Sequence, residues 1–168
     1  MKSVKQLCLI SVCSTILVVS KEMLAFLPNI ELVTFLLLMY AIHFDWRISV
    51  SIATIFCFLQ IVLYGFGIWT PMYFIVWNGW VVLCFLLRKF LKSNQRCAFF
   101  SAGFGLIFGF LFAIPYFFVS IHTGWAYFFN GLAFDIIHCL GNYILMSILY
   151  DPVHAFFNKL CYSYVSNI

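Results

Sequence analysis

Three polar side chains that could do chemistry, Asp135, His138 and Asn142, interrupt an otherwise apolar stretch, FDIIHCLGN (134–142). Their spacing places them on one face of a helix, because residues three and four apart are neighbours on a helix surface. Ionisable groups at membrane depth are costly and turn to a bundle interior or a water-filled cavity, so by default they mark a functional site. This face could bind a polar solute, handle a metal or protons, or pin the helix to its neighbours.

Metal and enzyme chemistry find little support in the rest of the sequence. Asp135, His138 and Cys139 could supply three ligands, but no second ligand-rich helix completes a shell, so we expect no metal site. The motifs G-x-S-x-G, H-E-x-x-H and G-x-x-x-x-G-K-[ST] are missing. We therefore expect no cofactor and no enzyme activity, and ATP hydrolysis would have to come from other subunits.

The composition is that of an integral membrane protein. Of the 168 residues, 65% are apolar and only 8% are charged, against roughly 25% charged residues in soluble domains. The net charge of +4 comes from basic residues that flank apolar runs, which predicts contact with the lipid bilayer and no binding of nucleic acid. We expect one membrane domain (1–151) and a cytoplasmic C-terminal tail (152–168).

The apolar runs predict an all-α bundle of six transmembrane helices. Crossing a bilayer takes roughly 20 helical residues, and the runs lie at about 6–27, 30–43, 47–66, 72–90, 98–121 and 125–150. The basic residues set the orientation, since Lys21 alone falls on one side and all the others on the opposite side. Lys and Arg accumulate on the cytoplasmic side, so both termini are predicted to be cytoplasmic.

Two stripes of small residues predict close helix packing. On helix 5 a small residue recurs at every fourth position from Ser101 to Ala113, which favours packing inside the bundle over a partner interface. On helix 1, Ser11 and Thr15 form a shorter stripe that could face either the protein interior or a partner.

Candidate solute-binding residues gather near the predicted outer ends of the helices. Helix 4 carries aromatic residues at helical spacing, and the outer connections 21–31 and 65–71 could form a rim. Flat aromatic walls with a few polar groups suit a flat, water-soluble, vitamin-sized molecule. The candidates are Lys21, Glu22, Asn29, Glu31, Trp69, Tyr73, Trp77, Asn78, Asp135 and His138.

The stretches KEMLAFLPNIELVTFLLLMY (21–40), LYGFGIW (63–69) and FDIIHCLGN (134–142) resemble an S component of an energy-coupling factor (ECF) transporter. S components are small six-helix proteins of the bacterial cell membrane that capture a vitamin or related micronutrient from outside. The resemblance implies that a transmembrane coupling protein and two ATPase subunits supply the energy. It also implies that Ser11 and Thr15 contact the coupling protein, because they match an Ala-x-x-x-Ala motif on helix 1, although neither is alanine here.

Two other functions stay open at the level of the sequence. One is a membrane enzyme that acts on a lipid or small molecule with Asp135 and His138 as acid and base. The other is a structural or assembly subunit, in which the polar face of helix 6 serves only to hold helices together.

Overall fold

The computed structural model describes residues 2–166, with side chains from residue 4 to residue 160. It contains six α-helices: α1 (Lys2–Met23), α2 (Val33–His43), α3 (Trp46–Tyr64), α4 (Thr70–Leu86), α5 (Asn94–Phe117) and α6 (Ile121–Ser166). The described residues contain no β-strand. The predicted all-α class is therefore confirmed, while the last two residues of the predicted tail lie outside the described chain.

Four of the helices are long and apolar enough to cross a membrane. These segments are Val4–Met23 of α1, α3, α5 and the part of α6 up to Leu160. The helices α2 and α4 are apolar but shorter. With 11 residues, α2 is about 17 Å long, too short to cross roughly 30 Å of hydrocarbon unaided.

The short helix α2 lies at the centre of the bundle, where it contacts α1, α3, α4 and α6. Most of its residues are buried, including Leu37, Leu38 and Met39. The Trp80 indole N–H of α4 donates to the Thr34 carbonyl oxygen at 3.1 Å. An apolar helix buried on nearly every side forms the core that the longer helices surround.

Helix α6 runs past the predicted end of the sixth transmembrane span. The sequence predicts that span at about 125–150 and a tail from residue 152, and α6 continues through Pro152 as one helix of 46 residues. Phe157 of the extension is buried and packs its ring against Tyr40 at 5.8 Å and Phe44 at 5.5 Å. This aromatic packing holds the extension against the end of α2 and offsets the backbone hydrogen bond that a proline inside a helix removes.

The small-residue stripe of α5 packs against α6, as the interpretation of bundle packing required. A Cβ added to Gly105 would lie 2.7 Å from the Cys139 backbone nitrogen. The Asn142 side-chain amide donates to the Ser101 carbonyl oxygen at 3.2 Å. Close backbone approach and an interhelical hydrogen bond together fix α5 against α6.

The small residues of α1 are divided between the protein interior and its surface. Ser14 is buried, and its hydroxyl donates to the Ile52 carbonyl oxygen at 3.4 Å. Ser11 and Thr15 are exposed, and their hydroxyls bond to carbonyl oxygens one turn earlier in α1. The pair therefore lies on the outer face of α1.

Candidate functional site

A cavity of about 360 Å³ lies where the connection between α1 and α2 folds into the bundle. We call it the main cavity. Asn29 turns the connection inward with a left-handed backbone (φ 55°), a conformation that asparagine tolerates better than most residues. The cavity draws residues from α1, α3, α4, α5 and α6 as well. Six of the predicted site residues line it: Lys21, Asn29, Glu31, Tyr73, Trp77 and His138.

Glu31 and His138 meet at the wall of the main cavity. His138 Nε2 lies 3.2 Å from Glu31 Oε1, although 107 positions separate the two residues in the chain. The Glu31 carboxylate also accepts the backbone N–H groups of Val33 and Thr34 and the Thr34 hydroxyl, so it caps the first turn of α2. His138 is only 2% exposed, and its Nδ1 atom has no hydrogen-bond partner among the described residues.

Aromatic rings form a further part of the lining of the main cavity. The Trp77 ring lies 5.9 Å from the Tyr73 ring and 5.5 Å from the Phe108 ring, measured between centroids. The Phe108 ring lies 4.8 Å from the His138 imidazole. Sequence reasoning missed Phe108 and its neighbour Phe112, because their spacing of four does not distinguish them among 22 phenylalanines.

The rim of the main cavity is tied together by charge and aromatic contacts. Lys21 Nζ lies 3.3 Å from Glu22 Oε1 and 4.4 Å from the centroid of the Tyr64 ring. The Tyr64 hydroxyl donates to the second oxygen of Glu22. Lys21 and Tyr64 line the cavity whereas Glu22 does not, so Glu22 holds the rim residues and lies behind them. Tyr64 was not among the predicted site residues.

Trp69 lies beside the main cavity, outside its lining. It lines a smaller cavity of about 260 Å³, together with Gln60 and three residues that the main cavity also uses: Lys21, Tyr64 and Tyr73. The Trp69 ring contacts the Tyr73 ring edge to face at 5.2 Å. Trp69 is therefore positioned to support the aromatic wall from behind.

Asp135, a predicted solute-binding residue, does not line the main cavity. Its Oδ1 accepts the Gly109 backbone N–H at 2.9 Å. It lines a neighbouring cavity of about 540 Å³, which we call the side cavity. The polar face of α6 is thus divided, since Asp135 lines the side cavity, His138 lines the main cavity and Asn142 bonds to α5.

Asn78, a predicted solute-binding residue, lines none of these three cavities. Its side-chain oxygen accepts the Thr54 hydroxyl at 3.0 Å, and its nitrogen donates to the Phe74 carbonyl oxygen at 2.9 Å. The bond with Thr54 joins α3 to α4, whereas the bond with Phe74 lies within α4. In the sequence, Asn78 is next to the aromatic residues of α4, and this position does not show that its side chain faces α3.

We expect Asn78→Ala to lower the free energy of unfolding by about 1 kcal/mol, because it removes the interhelical bond with Thr54. Solute affinity should not change. Thermal unfolding in detergent micelles and a binding titration measure the two effects. Thr54→Val, which removes the same bond from the other side, is the matched control and should have the same effect. A loss of affinity in Asn78→Ala alone would contradict the structural role.

Groups of three or more His, Cys, Asp or Glu side chains that could hold a metal ion do not occur among the described residues. Six cysteines of this part of the chain are free thiols.

The main cavity has three ionisable groups apart from tyrosine: Lys21, Glu31 and His138. The site can therefore offer both signs of charge to a ligand.

Comparison of the chain with protein families, with curated proteins and with solved structures finds no match. The main cavity and its residues therefore carry the functional conclusion.

Proposed function

We propose that this protein is the S component of an ECF-type ABC transporter. It captures a vitamin-sized, water-soluble micronutrient from the outside, and partner subunits drive uptake with ATP. The main cavity carries the proposal, because it combines aromatic side chains with the polar groups of Lys21, Glu31 and His138.

The size and lining of the main cavity support capture of a small molecule. Its volume of about 360 Å³ lies within the range of roughly 300–1,000 Å³ of ligand sites. Tyr73, Trp77 and Phe108 offer flat faces on which a ring can stack. Lys21 and Glu31 lie in the same lining, so a ligand with both an acidic and a basic group would find a partner for each.

The orientation in the membrane is part of the same proposal. We propose six transmembrane segments with both termini in the cytoplasm of a bacterial cell, so that the main cavity opens to the outside. The distribution of basic residues supports this orientation. Although α2 is too short to cross a bilayer alone, it is surrounded by other helices, and irregular backbone at membrane depth is tolerated where it lines a cavity.

Catalysis by Asp135 and His138 receives no support from their positions. His138 is engaged with Glu31 at the main cavity, whereas Asp135 is engaged with Gly109 and lines the side cavity. An acid and a base that act on one reacting bond must both reach that bond, whereas these two side chains line different cavities. The residues that do fit a purely structural role are Asn142 and Asn78, and neither lines the main cavity.

The test of the proposal is to identify what the protein binds. The chain is purified in mild detergent from cells grown in rich medium, and small molecules released on denaturation are identified by mass spectrometry. We expect one flat, water-soluble molecule that is not recovered with an unrelated membrane protein purified in parallel. Added back, that molecule should raise the midpoint of thermal unfolding. Recovery of no such molecule, together with no stabilisation by a panel of micronutrients, would contradict solute capture.

The outer face of α1 leads to a prediction about assembly. If Ser11 and Thr15 let a coupling-protein helix approach closely, the larger side chain of Ser11→Leu would hold the two helices apart. The binding free energy should then fall by more than about 1.4 kcal/mol, and co-purification with the coupling protein should decrease at least about tenfold. Solute binding should be unaffected, because Ser11 is exposed and outside the main cavity. Thr15→Ser keeps a small residue and is the control. Normal co-purification of the Ser11→Leu variant would count against this contact.

A further inference from the structure

Asp135 is a buried carboxylate whose bonding is incomplete. It is 4% exposed, and its Oδ1 accepts the Gly109 backbone N–H at 2.9 Å. Its Oδ2 atom is also buried, and no described residue donates a hydrogen bond to it. An ionised carboxylate away from water needs further donors or a positive charge to offset the loss of hydration.

The side cavity next to Asp135 contains no protein cation to provide that charge. Its lining consists of aromatic, glycine and proline residues with two amides, Asn29 and Asn130, and Asp135 is its single ionisable group apart from Tyr127. The basic residues nearest to this region both have partners elsewhere: Lys21 lines the main cavity and pairs with Glu22, and His138, three residues along α6 from Asp135, contacts Glu31. A cationic ligand in the side cavity would supply the positive charge that its lining lacks.

We propose that the side cavity is a subsite for a protonated nitrogen group, an ammonium or amidinium, held by Asp135. The inference rests on the proposed function, since the nitrogen group belongs to the captured solute. An N–H donor would satisfy the free oxygen of Asp135 and supply its counter-charge in one contact. Phe108, Phe112 and Tyr127 also line the side cavity, and aromatic faces attract organic cations.

The arrangement of the two cavities explains how one solute would use both. Pro28, Asn29, Phe108 and Phe112 line the main cavity and also the side cavity. The two spaces therefore adjoin along the α1–α2 connection and one face of α5. A solute with a ring against Trp77 and a cationic group at Asp135 would be bound through both groups. Neutral and anionic analogues would lack the contact with Asp135 and would bind more weakly.

The test compares two probes that differ in one group, benzylammonium and benzyl alcohol. Both are titrated into the purified full-length protein at neutral pH, with thermal unfolding and isothermal calorimetry as readouts. We expect wild type to bind benzylammonium about tenfold more tightly than benzyl alcohol, the difference typical of a charged hydrogen bond. In Asp135→Asn this preference should disappear. The asparagine oxygen can still accept the Gly109 N–H, so the variant should remain folded.

Asp151→Asn is the matched control, because it removes a carboxylate charge from an exposed residue of α6 that lines neither cavity. It should keep the preference for benzylammonium. Equal binding of the two probes by wild type, no binding of either, or a preference that survives in Asp135→Asn would overturn the subsite. The outcome is separate from that of solute capture. A co-purifying solute with no ammonium preference would refute only the subsite, and an ammonium preference lost in Asp135→Asn with no such solute would refute only capture.

Discussion

Replacement of Gly105 by leucine is expected to abolish the stable bundle or to lower its free energy of unfolding by about 3 kcal/mol or more. A Cβ at Gly105 would lie 2.7 Å from the Cys139 nitrogen and 2.8 Å from the His138 carbonyl carbon. These neighbours are the backbone of α6, which cannot move aside as a flexible side chain can. The larger leucine would separate α5 from α6 and would also displace His138 from Glu31.

The same helix offers a control at Gly103, where nothing lies within 4 Å of an added Cβ. Gly103→Leu has the same amino-acid composition as Gly105→Leu. It should fold, because the added side chain would point to open space. Yield of monodisperse protein and the midpoint of thermal unfolding compare the two variants. Equal stability of Gly105→Leu and Gly103→Leu would show that α5 and α6 do not pack as described.

Replacement of His138 by alanine is expected to weaken solute binding at least about tenfold. The substitution removes the hydrogen bond between His138 and the Glu31 carboxylate, and a tenfold loss is typical when a hydrogen bond to a charged group is removed. The substitution would take away a side chain that lines the main cavity and contacts the Phe108 ring. It would also remove the partner that Glu31 has on α6. Binding of the solute recovered from the wild-type protein is the measurement.

His122→Ala is the control for this substitution, since His122 is exposed near the start of α6 and does not line the main cavity. His122→Ala should bind like wild type. Glu31→Gln should weaken binding too, and the double variant should lose less than the sum of the single losses, because the two residues contact each other. Wild-type affinity in His138→Ala would remove His138 from the site.

Helix content could be predicted from the sequence because it depends on neighbouring residues in the chain. Long apolar runs separated by turn-forming residues predict helices, and the structure has six of them. The stripe from Ser101 to Ala113 likewise predicted a close helix contact, which the structure places between α5 and α6.

The side that each residue faces could not be predicted, because nearly every face of these helices is apolar. Phe56 is fully buried whereas Phe58, two positions later, is 58% exposed, and both are phenylalanine. In a soluble helix, polar residues would mark the exposed face. In lipid, that signal is missing, so Asn78 was assigned to a pocket when it faces Thr54, and Phe108 was overlooked.

The residue pattern along the chain predicts an all-α protein with helices apolar enough for a membrane, and it singles out the polar residues of α6. Three features become visible in the folded chain alone: Glu31 meets His138, Asp135 lines a different cavity and α6 continues past Asp151. The difference follows from the range of the forces involved. Helix formation and hydrophobicity depend on residues close in sequence, whereas a cavity forms from side chains that only helix packing brings together.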